Sequence, residues 1–191
     1  MPTVELLSIT PNATDLIKTA CSMPYGKEIS DNALKSIINS GHLSVLEHAT
    51  ATFKVKCSVR VLGQITRHRH LSFTCKSARG SKFDTFVNPK TGVVFKGSFA
   101  LDQYIGALDE GLAEQDAAYW LPQGVETEFV VTGNFRTWYE YLPKRLCHRA
   151  MPEHRLLAID IGDILAHECP LIFDRDFMNC KNCNERSCSF K

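Results

Sequence analysis

No stretch of the 191-residue sequence is apolar for long enough to cross a bilayer, so no membrane partner is expected. The opening "MPTVELLSITPNATD" has neither the basic start nor the long apolar run of a signal peptide, and the expected location is the cytoplasm. Neither sign of charge is in excess: 22 Lys and Arg stand against 21 Asp and Glu, a formal net charge of +1. A globally basic, polyanion-binding surface is thereby excluded, so any anion site must be local and no nucleic-acid partner is expected. Both familiar glycine-rich phosphate loops, GxGxxG and GxxxxGK followed by Ser or Thr, are missing. So are internal repeats, low-complexity tracts and any linker rich enough to divide domains.

The remaining composition is that of a soluble globular protein, with 44% hydrophobic and 23% charged residues. The length suits one domain with a substantial core. Eight cysteines would suit a disulfide scaffold in a short secreted chain, but a chain of this size needs no staples, and reduced thiols are expected.

Periodicity predicts a short helix from Asp15 to Ser22 and a second in "EISDNALKSIINSG". Ser30 or Asp31 caps that second helix, Leu34, Ile37 and Ile38 form its stripe, and Gly41 stops it. In "ATATFKVKC", residues 49–57, apolar and polar residues alternate strictly, which predicts a half-buried strand. A helix is predicted from Val59 to Arg69, then a loop with a short strand at "GVVFK". A long helix follows, carrying Leu101, Ile105, Leu108 and Leu112 on one face and ending at Pro122. "VETEFVVTGN" reads as a strand, and a helix begins near Asn134 that Pro143 should kink or end. The last helix buries Leu157, Ile161, Ile164 and Leu165, and a polar tail closes the chain. The fold class predicted is α+β (mixed α/β), a single domain.

The segment "ITRHRHLSFTCKSARG", residues 65–80, concentrates cationic and hydroxyl side chains at a predicted helix end. Arg67 and Arg69, two residues or about 200° apart on a regular helix, reach different groups unless the helix ends between them. Arginine forks grip phosphate or carboxylate, and Ser72, Thr74, Ser77 and Arg79 add donors on a non-helical segment. A phosphorylated ligand fits, and so does a solvated helix end whose cations complement the helix dipole.

Order adds what composition leaves open. Arg67-His68-Arg69, seven further residues and then Ser77 resembles the signature of the flavin-dependent thymidylate synthases. Gln64 and Ser77-Ala78-Arg79 continue the likeness, as do "GHLSVLEHATATFKV", "AAYWLP", "ETEFVVTGNFRTWYEYLPKR" and "RAMPEHR". The resemblance covers nearly the whole chain, with a shortened middle around residues 80–115. It implies a homotetramer with a central, largely antiparallel sheet flanked by helices and active sites between subunits. The implied reaction makes dTMP from dUMP with methylenetetrahydrofolate, NADPH and FAD. Carried over by position, Ser44, Arg67, His68, Arg69 and Asn134 would contact FAD, with Cys75 and Glu140 at flavin-side positions. Gln64, Ser77, Ala78, Arg79 and Arg145 would hold dUMP. Arg145 would be the catalytic residue, set against the uracil, where a fixed cation favours the ionised ring. His42 would line the nicotinamide or folate side.

The sequence departs from the family pattern at Cys75, Gly80, Glu140 and Ala118, the last replacing an arginine that helps bind the nucleotide. Lys76 or Lys82 could reach the same anion in its place, and Arg136 or Lys144, each four residues from Glu140, could neutralise that acid. These departures leave an FAD-binding relative with another pyrimidine substrate or no turnover, and a non-catalytic nucleotide- or nucleic-acid-binding protein, as rival readings. Nearby arginines and a helix end would lower the Cys75 thiol pKa, as a nucleophile would need, but the family resembled needs no protein nucleophile and a small packing residue is expected there. Residues 1–178 are expected to form the enzyme domain and residues 179–191 a Cys-rich tail. Its Cys180, Cys183 and Cys188 have a zinc-like pair, with His167 and Cys169 the nearest candidates to complete four ligands, but a reduced tail without metal is expected.

Overall fold

The structure is a computed structural model that describes residues 2–178, 180 and 183–190. Along the chain it runs β1 (Thr3–Ile9), α1 (Ala13–Ser22), α2 (Asp31–Asn39), a 3-10 helix (Leu43–His48), β2 (Thr50–Ser58), α3 (Val59–Ile65) and β3 (Ser72–Cys75). It continues through β4 (Thr85–Val87), β5 (Val94–Lys96), α4 (Asp102–Asp109), α5 (Glu114–Ala117), β6 (Glu126–Asn134), α6 (Phe135–Leu146), α7 (Pro152–Glu168) and α8 (Pro170–Phe173). Four strands form one sheet in the order β1-β2-β6-β3, and β4 and β5 make a separate antiparallel pair. The class is the expected one, a mixed α/β single domain of antiparallel sheet and helices. The chain folds as two compact units, Met1–Glu5 with Lys54–Val131, and Leu6–Phe53 with Thr132–Lys191. Among the described residues no helix is long and apolar enough to cross a membrane.

In the first unit a small core gathers Phe83, Leu101, Tyr104, Ala107, Ala117 and Val125. Its helix differs from the predicted one. Leu101, Tyr104 and Ala107 face inward, while Ile105 and Leu112 remain 38% and 42% exposed. The helix also stops at Asp109, before Gly111 in the left-handed region (φ 87°), rather than running to Pro122. The predicted stripe counted only large aliphatic residues, and the packing instead uses an aromatic ring and a small alanine at i, i+3 and i+6. The strand expected at "GVVFK" is real in β5, but its partner β4 escaped prediction because three residues are too few for a period to show. β1 was also missed, since its "TVELLSI" has no buried residue and no clean alternation.

The second unit is built on the first residues of β2, the last residues of β6 and the long helices. Trp138 is fully buried, donates from Nε1 to the Ala51 carbonyl at 3.2 Å and meets Phe53 edge-on at 5.2 Å. α6 runs on through Pro143 to Leu146. Proline there removes one N–H from the last turn, which this helix tolerates. α7 buries Leu157, Ile161 and Leu165 as predicted, whereas Ile164 is only half-buried.

Candidate functional site

The basic cluster lies in the first unit. Ser58 caps α3 by accepting from the Val61 N–H at 3.2 Å. The helix ends at Ile65, four residues earlier than predicted. Beyond it the backbone tightens: the Arg67 N–H donates to the Gln64 carbonyl at 3.3 Å, and the His68 N–H to that of Ile65 at 2.9 Å. Buried Leu71 then anchors the chain, its N–H bonded to the His68 carbonyl at 3.0 Å. Arg67, His68 and Arg69 thus occupy a turn between helix and strand, which resolves the 200° problem because no regular helix carries them.

β3 follows, and just past it the Lys76 N–H donates to the Glu128 carbonyl on β6 at 2.8 Å. The Ser77 hydroxyl accepts from the Arg79 N–H at 3.2 Å, closing a compact turn that displays Ser77, Ala78 and Arg79. Arg67, Arg69 and Arg79 are exposed, and no described residue pairs with their guanidinium groups. Guanidinium groups without carboxylate partners are able to bind an anion, and a hydroxyl such as that of Ser77 suits a phosphate.

Two expectations fail here. Cys75 is exposed, yet partial desolvation of its thiol raises the pKa above the ordinary cysteine value, the opposite of the lowering expected from the arginines. Lys76 is spent elsewhere: its Nζ donates to the Lys82 carbonyl at 2.9 Å and lies 4.3 Å from the centre of the Phe83 ring. Lys82 itself is exposed.

The second unit holds the remaining predicted residues. Gly41, in the left-handed region (φ 85°), ends α2: its N–H donates to the Ile38 carbonyl at 3.0 Å and that of His42 to Ile37 at 3.2 Å. His42 is exposed just before the 3-10 helix that carries Ser44. Asn134 caps α6, its Oδ1 accepting from the Thr137 N–H and hydroxyl, each at 2.8 Å. Its amide nitrogen is left as the group that can donate outward.

Arg136 ties these pieces together, a role the sequence reading missed beyond its spacing to Glu140. Its Nε donates to Glu140 at 2.9 Å and its Nη1 to Glu47 at 2.6 Å, linking α6 to the 3-10 helix. Glu140 first, then Glu47, raises the Arg136 pKa further. Glu140 is therefore not a bare acid, and Arg136 rather than Lys144 neutralises it. Arg145 stands in the last turn of α6, where Arg155 Nε caps the Leu146 carbonyl at 2.8 Å.

Of the expected Cys-rich tail, Asn179, Lys181, Asn182 and Lys191 lie outside the described residues. Its described part touches residues 148 and 149: Arg149 pairs with Glu185 at 3.1 Å, and His148 stacks on Phe190 at 5.3 Å. Burial, then Glu168, raises the Cys169 thiol pKa. Among the described residues no three His, Cys, Asp or Glu side chains group to hold a metal.

The arrangement defines an α/β protein that displays exposed arginines on a helix-to-strand turn. A family model described as "Thymidylate synthase complementing protein" matches residues 5–171, and the chain belongs to that family. It is 32% identical to the flavin-dependent thymidylate synthase of Saccharolobus solfataricus over 204 residues, covering 94% of this chain and 78% of the relative. Against the enzyme of the same name from Geobacter sulfurreducens it is 33% identical over 196 residues, covering 89% and 84%. For that of Pyrococcus horikoshii the figures are 33% over 188 residues, 83% and 76%.

Proposed function

We propose that the protein is a flavin-dependent thymidylate synthase that makes dTMP from dUMP, with methylenetetrahydrofolate and NADPH as co-substrates and FAD as cofactor. Residues 1–178 act as the enzyme domain, working as a homotetramer in the cytoplasm, with residues 179–191 as an appended tail. The observation that carries the reading is the set of exposed, unpaired Arg67, Arg69 and Arg79, with Ser77 bonded to the Arg79 N–H, in the order the family uses. It fits a flavin diphosphate and a nucleotide phosphate, two anions that must be held near each other.

Bound FAD would supply the redox chemistry of the reaction. Arg67, His68, Arg69, Ser44 and the amide of Asn134 would be flavin contacts, as the family order implies, with Cys75 and Glu140 at flavin-side positions. Glu140 enters there as half of an ion pair with Arg136 rather than as a lone charge. Gln64, Ser77, Ala78 and Arg79 would grip dUMP, the backbone N–H of Arg79 being already ordered by the Ser77 hydroxyl. Arg145 would stabilise negative charge on the uracil, and His42 would line the folate or nicotinamide side.

Purified protein should be yellow with oxidised-flavin absorbance, and should release tritium from 5-labelled dUMP when given NADPH and methylenetetrahydrofolate. A colourless protein that FAD cannot reconstitute would rule the reading out. A yellow protein without tritium release would favour a relative with another pyrimidine substrate. Light scattering of the loaded protein should return the mass of four chains.

A further inference from the structure

One cation near the basic cluster has no role in the reading so far. Arg60 lies on α3 four residues before Gln64, and Arg67 follows in the tightened turn, where its N–H bonds to the Gln64 carbonyl. Four residues of helix, or a 3-10 turn of three, bring successive side chains back to the same side, so Arg60, Gln64 and Arg67 share one face. Gly63 lies on that face, and a Cβ built on it would meet nothing within 4 Å. The surface between Arg60 and Arg67 is open.

The head of Arg60 is also positioned. Its Nη1 donates to Gln123 Oε1 at 2.8 Å, and its backbone N–H donates to the Gln123 carbonyl at 2.9 Å. Gln123 is five residues beyond Ala118, so Arg60 is fastened to the segment that departs from the family pattern by losing an arginine. The partner is a neutral amide, and no described carboxylate pairs with Arg60, so its charge is uncompensated and most of its five N–H donors are unused. Lys76, one of the two lysines expected to reach the same anion, is already engaged by the Lys82 carbonyl and the Phe83 ring. About 6 Å of helix rise separates Arg60 from Gln64, a span that two long side chains converging on one phosphate can close.

We propose that Arg60 is a phosphate-binding residue for the substrate nucleotide, supplying from α3 the cation that Ala118 does not. The inference rests on the reading above, in which Gln64, Ser77 and Arg79 hold dUMP. Gln123 then serves as a positioning residue that keeps the guanidinium extended along the face.

The test titrates flavin-loaded protein with dUMP and, separately, with deoxyuridine, which lacks the phosphate. Arg60→Ala and Arg60→Gln should weaken dUMP binding about tenfold or more while leaving deoxyuridine within twofold. Arg60→Lys should fall between them and the parent, and Ala118→Arg added to Arg60→Ala should restore most of the loss. Unchanged flavin absorbance and melting temperature mark the variants as folded. If both Arg60 variants bind dUMP within twofold of the parent, or lose dUMP and deoxyuridine equally, the inference is overturned while the functional reading stands. If the yellow parent protein binds neither ligand, the functional reading falls and this inference with it.

Discussion

At Arg145 and Cys75 the chemistry turns on single side chains. Arg145 is half-buried in the last turn of α6, and the proposed role gives it work only when the uracil is ionised. Arg145→Ala should therefore nearly abolish tritium release while the protein stays yellow; activity within a few-fold of the parent would show that this helix is misassigned. Cys75 carries the opposite expectation. Because burial raises its thiol pKa above the ordinary 9.0, alkylation of Cys75 by iodoacetamide should still be accelerating as pH passes 9, read by peptide mass mapping. Cys75→Ser should retain turnover within a few-fold. The arginines beside it were legible in sequence, but their orientation was not, and a thiol responds to what surrounds it rather than to what precedes it in the chain.

Helix ends and strand pairs set the local geometry. Gly41 was readable as a stop signal, and the structure gives the reason, a left-handed residue whose N–H and that of His42 cap two carbonyls of α2. Gly41→Ala should cost about 1–2 kcal/mol, measured as a lower urea midpoint, because a Cβ is disfavoured in that conformation. Between β2 and β6, Lys54 bonds Glu128 and, with Lys56 nearby, holds its carboxyl below the ordinary 4.5. The stabilisation is then complete above pH 4.5 and fades as pH falls through the lower folded value. The melting-temperature gap between the parent and Glu128→Gln should be small at pH 7, as for a solvent-exposed pair, and should close in acid. β2 and β6 were legible because strict alternation over nine residues has one explanation. α3 ends earlier than its pattern predicts because the polarity of "TRHRHL" says nothing about where a helix surrenders to a turn; buried Leu71 decides that.

Across the whole molecule, the aromatic centre of the second unit joins strand to helix. Trp138→Ala would remove the ring packed on Phe53 and Tyr141 and the bond to the Ala51 carbonyl, a loss of about 3–5 kcal/mol. Thermal unfolding should drop accordingly, and flavin retention should weaken with it, since Asn134 and Glu140 flank this residue on the same helix. The sequence by itself determined the fold class, the two long sheet strands, the Gly41 stop and the Arg67–Arg79 cluster with its family order. Each of these depends on period, spacing or residue type, which are local properties of the chain. Only tertiary structure decided the rest. It showed that Arg136 couples Glu140 to Glu47, which lies 89 residues before Arg136 in the chain. It also showed that Lys76 is engaged elsewhere, that partial desolvation raises the Cys75 thiol pKa and that Arg60 is pinned to Gln123. Those facts depend on which distant groups come within a few ångströms of one another, and no period in the sequence encodes a long-range partner.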